Sequence, residues 1–372
     1  MPATTLAGAP ADKKAAPAVS PLLVPFVRAA QEHVEQFMDI STLIGAAGTQ
    51  LQPLDIPAYG FMRGVFIEVT TTGGTGAAAV YKGDGPFSAL TDISIIDVNG
   101  APIVGPLDGY DVFLIDKIGG YRKLPISAKA HPDYLAPTTG NFTFLLYVPI
   151  EVGGRDGLGS LANANAASSY KLKVTIAPKG NVFTTDPTTL PTVRVKAWLD
   201  AWTQPTPEDL TGKAQATQPP AHGTTSYWSK TVFNIAAGQQ TLRLPRVGNY
   251  LRNLVFIYRD ATQVRNKGNF PAQFDLYWDT RLLKSYGQSV WRGQMSQRYG
   301  LVGADEAANG LDTGVYVEDY AHEFDGSPGF EMRDGWLPTS QSTRLDVLGN
   351  FGAVGTLTVL TNDVSPAGEV FV

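Results

Sequence analysis

Leu54-Asp55-Ile56-Pro57-Ala58-Tyr59-Gly60-Phe61-Met62-Arg63-Gly64-Val65-Phe66-Ile67 returns in the second half of the chain. There it reads Leu242-Arg243-Leu244-Pro245-Arg246-Val247-Gly248-Asn249-Tyr250-Leu251-Arg252-Asn253-Leu254-Val255-Phe256. Both copies run apolar-x-apolar-Pro-x-x-Gly, then an arginine, then an apolar stretch. The prolines are 188 residues apart, as are the glycines, and the arginines 189 apart, so one residue is inserted between glycine and arginine. That offset is about half of the 372 residues, which implies a tandem duplication of one unit. In each copy the segment is expected to form the first long strand of its unit. Pro57 and Pro245 keep its start outside the central ladder. Gly60 and Gly248 permit a bulge or bend. Arg63 and Arg252 are expected to bond carbonyls or carboxylates at the end of the unit.

The bulk numbers fit two domains. The hydrophobic fraction is 43% and the charged fraction 17%, enough apolar surface for a real core. Glycine and proline, 39 and 26 residues, make up about 17% of the chain against a usual ~12%, which suggests short strands and many turns. The net charge of −5 gives no basic footprint for wrapping nucleic acid. The absence of cysteine favours synthesis in a reducing cytoplasm. No apolar run reaches the ~18 residues of a membrane span, and residues 1–20 lack the order of a signal peptide.

Residues 1–20 are expected to be a flexible arm. Leu23, Val27, Ala30, Val34 and Phe37 then recur at spacings of three and four, which predicts an amphipathic helix of about 14 residues with Pro25 in its first turn. Its face would meet its own or a neighbouring domain, or a lipid surface, although its polar side is acidic. Residues 1–45 thus form an arm and helix, 46–202 a first β domain, the Pro-rich stretch 203–226 a linker, and 227–372 a second β domain.

Period-two alternation marks strands at Val65–Val69, Phe142–Val148, Tyr170–Ile176 and Val193–Leu199. Asn99-Gly100 reads as a hairpin turn. Tyr110–Ile118 reads as one short helix stopped by Gly119-Gly120. The second half repeats the plan: a strand at Phe274–Trp278, a turn into Leu282, a helix-like Gln288–Arg298, then strands at Val315–Val317, Thr343–Phe351 and Thr356–Thr361. About eight short strands per half, with a helix midway, predict an all-β chain of two tandem eight-stranded jelly rolls.

Little in the sequence suggests chemistry. His33, His131, His222 and His322 are scattered, so no zinc site is expected. Gly73-Gly74-Thr75-Gly76 lies between β-like runs and reads as a loop rather than a phosphate cradle. Nine carboxylates fall between Asp305 and Asp334. They read first as a solvated acidic loop, with a cation site or paired catalytic carboxylates as the sharper alternatives. Trp198 and Trp202 are expected at an interface between rolls or subunits, because an oligomer buries large anchors. No catalytic residue, metal or cofactor is assigned.

The two Pro-Gly-Arg segments, the hairpin and helix of Ile93–Ile118, the Gly157-Leu158-Gly159-Ser160-Leu161 stretch and the tandem plan together resemble one family. They resemble the double jelly-roll major capsid proteins of tailless double-stranded-DNA viruses with an internal membrane, the tectivirus type above all. The resemblance covers about residues 45–372 and is one of plan more than of motif. It implies homotrimers with a pseudo-hexagonal outline that tile an icosahedral shell in the virion. Penton and minor capsid proteins would be partners, and the N-terminal region would face the internal lipid membrane. The Ala304–Arg333 region would form an outer tower. Two rivals remain open on the residues alone. One is a secreted two-roll glycan-acting enzyme or carbohydrate-binding protein, the other a viral spike or receptor-binding protein.

Overall fold

The computed structural model of the chain describes residues 22–76, 78–118, 133–152, 157–218, 224–245, 247–299, 310–320, 322–323, 331–332, 335–339 and 344–365. Each half is an eight-stranded jelly roll. The first is built from β1 (Glu32–Leu43), β2 (in two pieces, Thr49–Gln50 and Leu54–Asp55), β3 (Phe61–Thr72), β4 (Leu90–Ile96) and β5 (Pro102–Leu107). Helix α1 (Gly109–Ile118), β6 (Thr143–Pro149), β7 (Lys171–Ile176) and β8 (Thr192–Trp202) complete it. The second has β9 (Ser226–Ile235), β10 (Gly238–Leu244), β11 (Tyr250–Asp260), β12 (Gln273–Trp278) and β13 (Arg281–Gly287). Helix α2 (Gln288–Tyr299), β14 (Val315–Asp319), β15 (Leu345–Phe351) and β16 (Gly355–Val364) follow.

The first roll stacks a sheet of order β1-β8-β3-β6 on one of order β2-β7-β4-β5. The second repeats this as β9-β16-β11-β14 and β10-β15-β12-β13, so strand n corresponds to strand n + 8. The alternation seen in the sequence fixes which side faces inward. Val65, Ile67 and Val69 of β3, Phe144, Leu146 and Val148 of β6, and Val193, Val195, Ala197 and Leu199 of β8 are all buried. Asn99-Gly100 makes the expected hairpin, Gly100 taking the left-handed φ of 85° that its turn needs.

The repeated segment is not the first long strand of its roll. β1 and β2 precede β3, and β9 and β10 precede β11. Pro57 and Pro245 do lie between strands, outside the ladder. The bulge falls on the arginines rather than the glycines. Asp200 of β8 faces Gly64 and Ala201 faces Met62, which leaves Arg63 as the extra residue of β3. In β11, Asn362 of β16 faces Asn253 and Asp363 faces Leu251, which leaves Arg252 extra. One backbone irregularity thus recurs at the same place in both rolls.

The expected N-terminal helix is four residues long, Phe26–Ala29, and it lies between two strands, Leu22–Pro25 and β1, that take up most of the rest of the span. The first roll therefore begins well before residue 46, and β1 pairs with β8 along its whole length. Two features disguised it. β1 is an edge strand, exposed along much of its length. It also carries its own bulge, with Met38 facing Ala197 and Gln36 facing Trp198, so Phe37 is extra and the two-residue period slips into helix-like spacing. Leu23 and Val34 are exposed, Val27 and Phe37 half-buried, and Ala30 is buried with Phe26, Phe61 and Trp202, so the five share no single face.

The linker is tied down. Gln215–Gln218 pairs in parallel with Leu22–Pro25, and Thr203 and Thr206 donate backbone N–H groups to Gln31 and Ala29. Beyond it the rolls join edge to edge, β9 lying parallel to β5 with Trp228 opposite Val104, which merges one sheet from each roll. α1 falls where expected; Gly119-Gly120, its expected stop, lies outside the described residues.

Gly60 is buried at φ 49°, and a Cβ there would sit 1.9 Å from the Trp202 carbonyl oxygen. Its counterpart Gly248 is exposed at φ 114° with nothing within 4 Å. Gly60→Ala is expected to cost about 3 kcal/mol or more, because backbone must move, and Gly248→Ala about 1–2 kcal/mol of conformational strain alone. Urea unfolding of the two variants checks the difference.

Candidate functional site

Two ionic clusters organise the described residues. The first surrounds the bulged arginine of β3. The extra residue turns the Arg63 side chain toward the roll's end, where its Nε donates to Glu151 at 2.8 Å. Its guanidinium also reaches Glu32 at 3.0 Å and Asp200 at 3.4 Å, and lies 4.2 Å from the centre of the Trp202 ring. Trp202 Nε1 donates to the other Glu151 oxygen, and the Tyr147 hydroxyl donates to Asp200. The backbone N–H groups of Ile150 and Glu151 donate to the Arg63 carbonyl, closing the bulge. Burial pushes the Glu151 carboxyl above its usual range, against the opposing charge of Arg63. In the second roll Arg252 reaches Asn362 at 3.3 Å, the residue in the place of Asp200, and its carbonyl accepts from Tyr320. The expectation that both arginines bond carboxylates or carbonyls at the end of a roll thus describes the Arg63 side chain. Among the partners of Arg252 is the side-chain amide oxygen of Asn362.

The second cluster is the seam between the rolls, and no sequence motif announced it. Asp84 of the first roll accepts from Arg265 at 2.6 Å and from Arg259 at 3.0 Å, both of the second roll. Arg265 also donates to the carbonyls of Gly83, Leu311 and Thr313, and lies over the Tyr110 ring. Tyr110 of α1 donates to the Leu311 carbonyl. Lys230 of β9 bridges Asp108 and Asp111 at the start of α1, and Lys117 at its end meets Asp312. Burial alone would raise the Asp84 pKa; the two guanidinium groups outweigh it and hold the carboxyl below its usual range. Asp111 goes the other way, burial outweighing Lys230.

The tryptophans of the seam are not those the sequence suggested. Trp228 bridges the two sheets, and Trp336 is buried with Val152 and Leu158 of the first roll and Val364 of the second. Trp202 belongs to the Arg63 cluster inside the first roll, and Trp198 lies on the outer face of that roll's β1-β8-β3-β6 sheet, so neither stands between the rolls. Of the acidic stretch, Asp305, Glu306, Asp325, Asp334 and the side chains of Glu323 and Glu331 lie outside the described residues. Half of the Ala304–Arg333 region does too. The described members are not solvated. Asp312 is buried on Lys117, Glu318 pairs with Lys284, and Asp319 pairs with Arg298 and accepts from Tyr299. Among the described residues no three carboxylates or histidines converge as a metal site would require.

No protein-family model matches the chain, and no curated protein matches its sequence. Solved structures do match. The chain superposes on the MCP of STIV with a TM-score of 0.60 at 13% identity, over 90% of this chain and 97% of that one. The atomic structure of Sulfolobus turreted icosahedral virus gives a TM-score of 0.62 at 12% identity, over 90% and 91%. The major capsid protein P2 from bacteriophage PM2 gives 0.55 at 8% identity, over 90% and 97%. The chain is a double jelly roll. The match runs through both rolls, and the double jelly roll is held as one body by the seam just described.

Asp84→Asn leaves two buried guanidinium groups without their counter-charge, and a loss of about 3 kcal/mol is expected in denaturant unfolding. The folded-state pKa of Asp84 is depressed, so its contribution is present above the ordinary value of 3.8 and fades as pH falls through the lower folded value. The stability gap between wild type and Asp84→Asn should therefore narrow below about pH 4. A gap that stays constant or widens on acidification would show that Asp84 is not the titrating partner.

Proposed function

We propose that this double jelly roll is the major capsid subunit of an icosahedral virus, a structural protein whose work is assembly and not catalysis. The observation that carries the reading is the match of the whole two-roll plan, over 90% of the chain, to the MCP of STIV and to the major capsid protein of PM2. The ionic seam supports it. Two rolls locked side by side present a rigid block with two unlike sides, and three such blocks make a ring of six rolls with a pseudo-hexagonal outline. Such rings fill six-neighbour positions of a shell, so the five-fold vertices need a separate penton protein, and minor proteins would bind between rings. Synthesis in the host cytoplasm and incorporation into the virion follow from the same reading, and the lack of cysteine agrees with it.

Contact with an internal membrane is assigned to residues 1–21 alone. The segment from Leu23 to Phe37, expected to offer a lipid-facing helix, is committed to the roll and its linker through Leu22–Pro25 and β1.

The purified chain is expected to run as a trimer, three times 39.8 kDa or about 119 kDa, and to show pseudo-hexagonal particles by electron microscopy. A chain that stays monomeric at every concentration overturns the reading. Deleting residues 1–21 should leave the trimer and its melting temperature unchanged while lowering the yield of closed shells on lipid vesicles.

A further inference from the structure

The seam inside the chain is a template for a seam between chains. Within one copy, β5 and the helix that follows it form the donor side and β9 the acceptor side. The join buries Trp228 to 2% exposure. α1 is buried on every side except at Lys117. The acceptor sheet is covered on both faces, β11 and β16 being buried almost without alternation.

The corresponding elements at the other ends of the chain are built alike, and no described element covers them. Asp200 and Asn362 are matched residues, each facing the residue beside a bulged arginine. On their other side they face Val34 and Trp228. Val34 of β1 therefore occupies the position of Trp228, yet it is 57% exposed. Trp198 and Phe66 face each other where Leu360 and Val255 do in the second roll. Leu360 and Val255 are fully buried, whereas Trp198, Phe66 and Val34 line an apolar groove of about 350 Å³. On the donor side, α2 takes the place of α1 but leaves Val290 61% exposed. Among the described residues no strand pairs with the outer edge of β1 or of β13.

The charges on the open sides are complementary, with the sign of the internal seam reversed. Internally the donor is acidic, Asp108 and Asp111, and the acceptor strand β9 carries Lys230. At the open sides β13 and α2 carry Arg281, Lys284, Arg292 and Arg298 with no carboxylate, and β1 carries Glu32, Glu35 and Asp39 with no lysine or arginine. Most of these also have partners in their own roll: Lys284 with Glu318, Arg298 with Asp319, Arg292 with Tyr316, Glu32 with Arg63, Glu35 with His33 and Asp39 with Arg194. The reversal makes the wrong joints repulsive. A first-roll donor against a first-roll acceptor sets acid on acid, and the second-roll equivalents set base on base.

We propose that β13 and α2 of one copy seat on β1 and the Trp198 groove of a second copy, head to tail, reproducing between chains the joint that β5 and α1 make with β9. This deepens the capsid-subunit reading and rests on it for closure at three copies.

The chain has no cysteine, so disulfide trapping is unambiguous. Val34→Cys is combined in turn with Arg281→Cys, Leu282→Cys and Leu283→Cys in the full chain, oxidised mildly and run on a denaturing, non-reducing gel. At least one pair is expected to give covalent dimers and trimers, with every single-cysteine variant remaining monomeric on the gel. Separately, Val34→Arg should raise the concentration needed for assembly by at least about tenfold with unchanged thermal melting, because it sets base against base. Val232→Arg, at a position on β9 that is similarly exposed, should not. A wild-type trimer from which no pair cross-links, or which Val34→Arg leaves equally stable, overturns this joint and leaves the capsid reading standing. A wild-type chain that remains monomeric overturns both.

Discussion

The carboxylate of Asp84 lies between the guanidinium groups of Arg265 and Arg259, and the union of the two rolls is built around that contact. Each roll could bury its own apolar interior without the other. What neither could do alone is cover α1, whose residues are buried nearly all round and whose ends carry Asp108, Asp111 and Lys117. Buried charges of this kind are costly unless each finds a partner with good geometry. Here the opposite charges come from the other roll: Lys230 for the two aspartates and Asp312 for Lys117. The register between rolls is thereby fixed, since sliding one past the other would strand charges on both sides at once.

The bulged arginines show what the duplication kept and what it released. Arg63 and Arg252 occupy the same irregularity, so the extra residue and the side chain it redirects belong to the ancestral unit. The partner on the neighbouring strand has diverged, Asp200 in one roll and Asn362 in the other. In the first roll the arginine answers carboxylates from three segments, with Glu151 fully buried among them. In the second it meets a neutral amide on the matching strand.

Much of the fold was legible because a jelly roll's inner faces obey period two, and β3, β6, β7 and β8 of the first roll show it plainly. Edge strands do not. β1 was hidden because little of it is buried and because Phe37 is extra, which shifts the apolar residues into a spacing that also fits a helix. The duplication was visible because proline and glycine mark backbone geometry and so survive in a loose pattern. The seam was invisible for the opposite reason. Asp84, Arg265 and Lys230 lie far apart in the chain, no spacing rule links them, and their types alone are those of solvated surface residues. Tryptophan size predicted burial correctly for Trp202 but not its location, since a large ring fills an end cap of a roll as readily as a boundary between rolls.

The physical constraint that reaches beyond one chain is the fate of sheet edges. Two rolls have twice the edges of one, and the β5–β9 joint hides only one of each kind. A joint between unlike edges is heterologous, so whatever it hides in one place it leaves open in another, and repetition ends only in a ring or a filament. Charge decides which edges are allowed to meet. The internal joint is acid on base and the open ends are base on acid, so a roll is disfavoured from following another of its own kind. Divergence after duplication thus did more than decorate two copies of one fold. The reversed sign of matched surfaces makes the pair of rolls a directional block, and a directional block is what the proposed ring of alternating rolls requires.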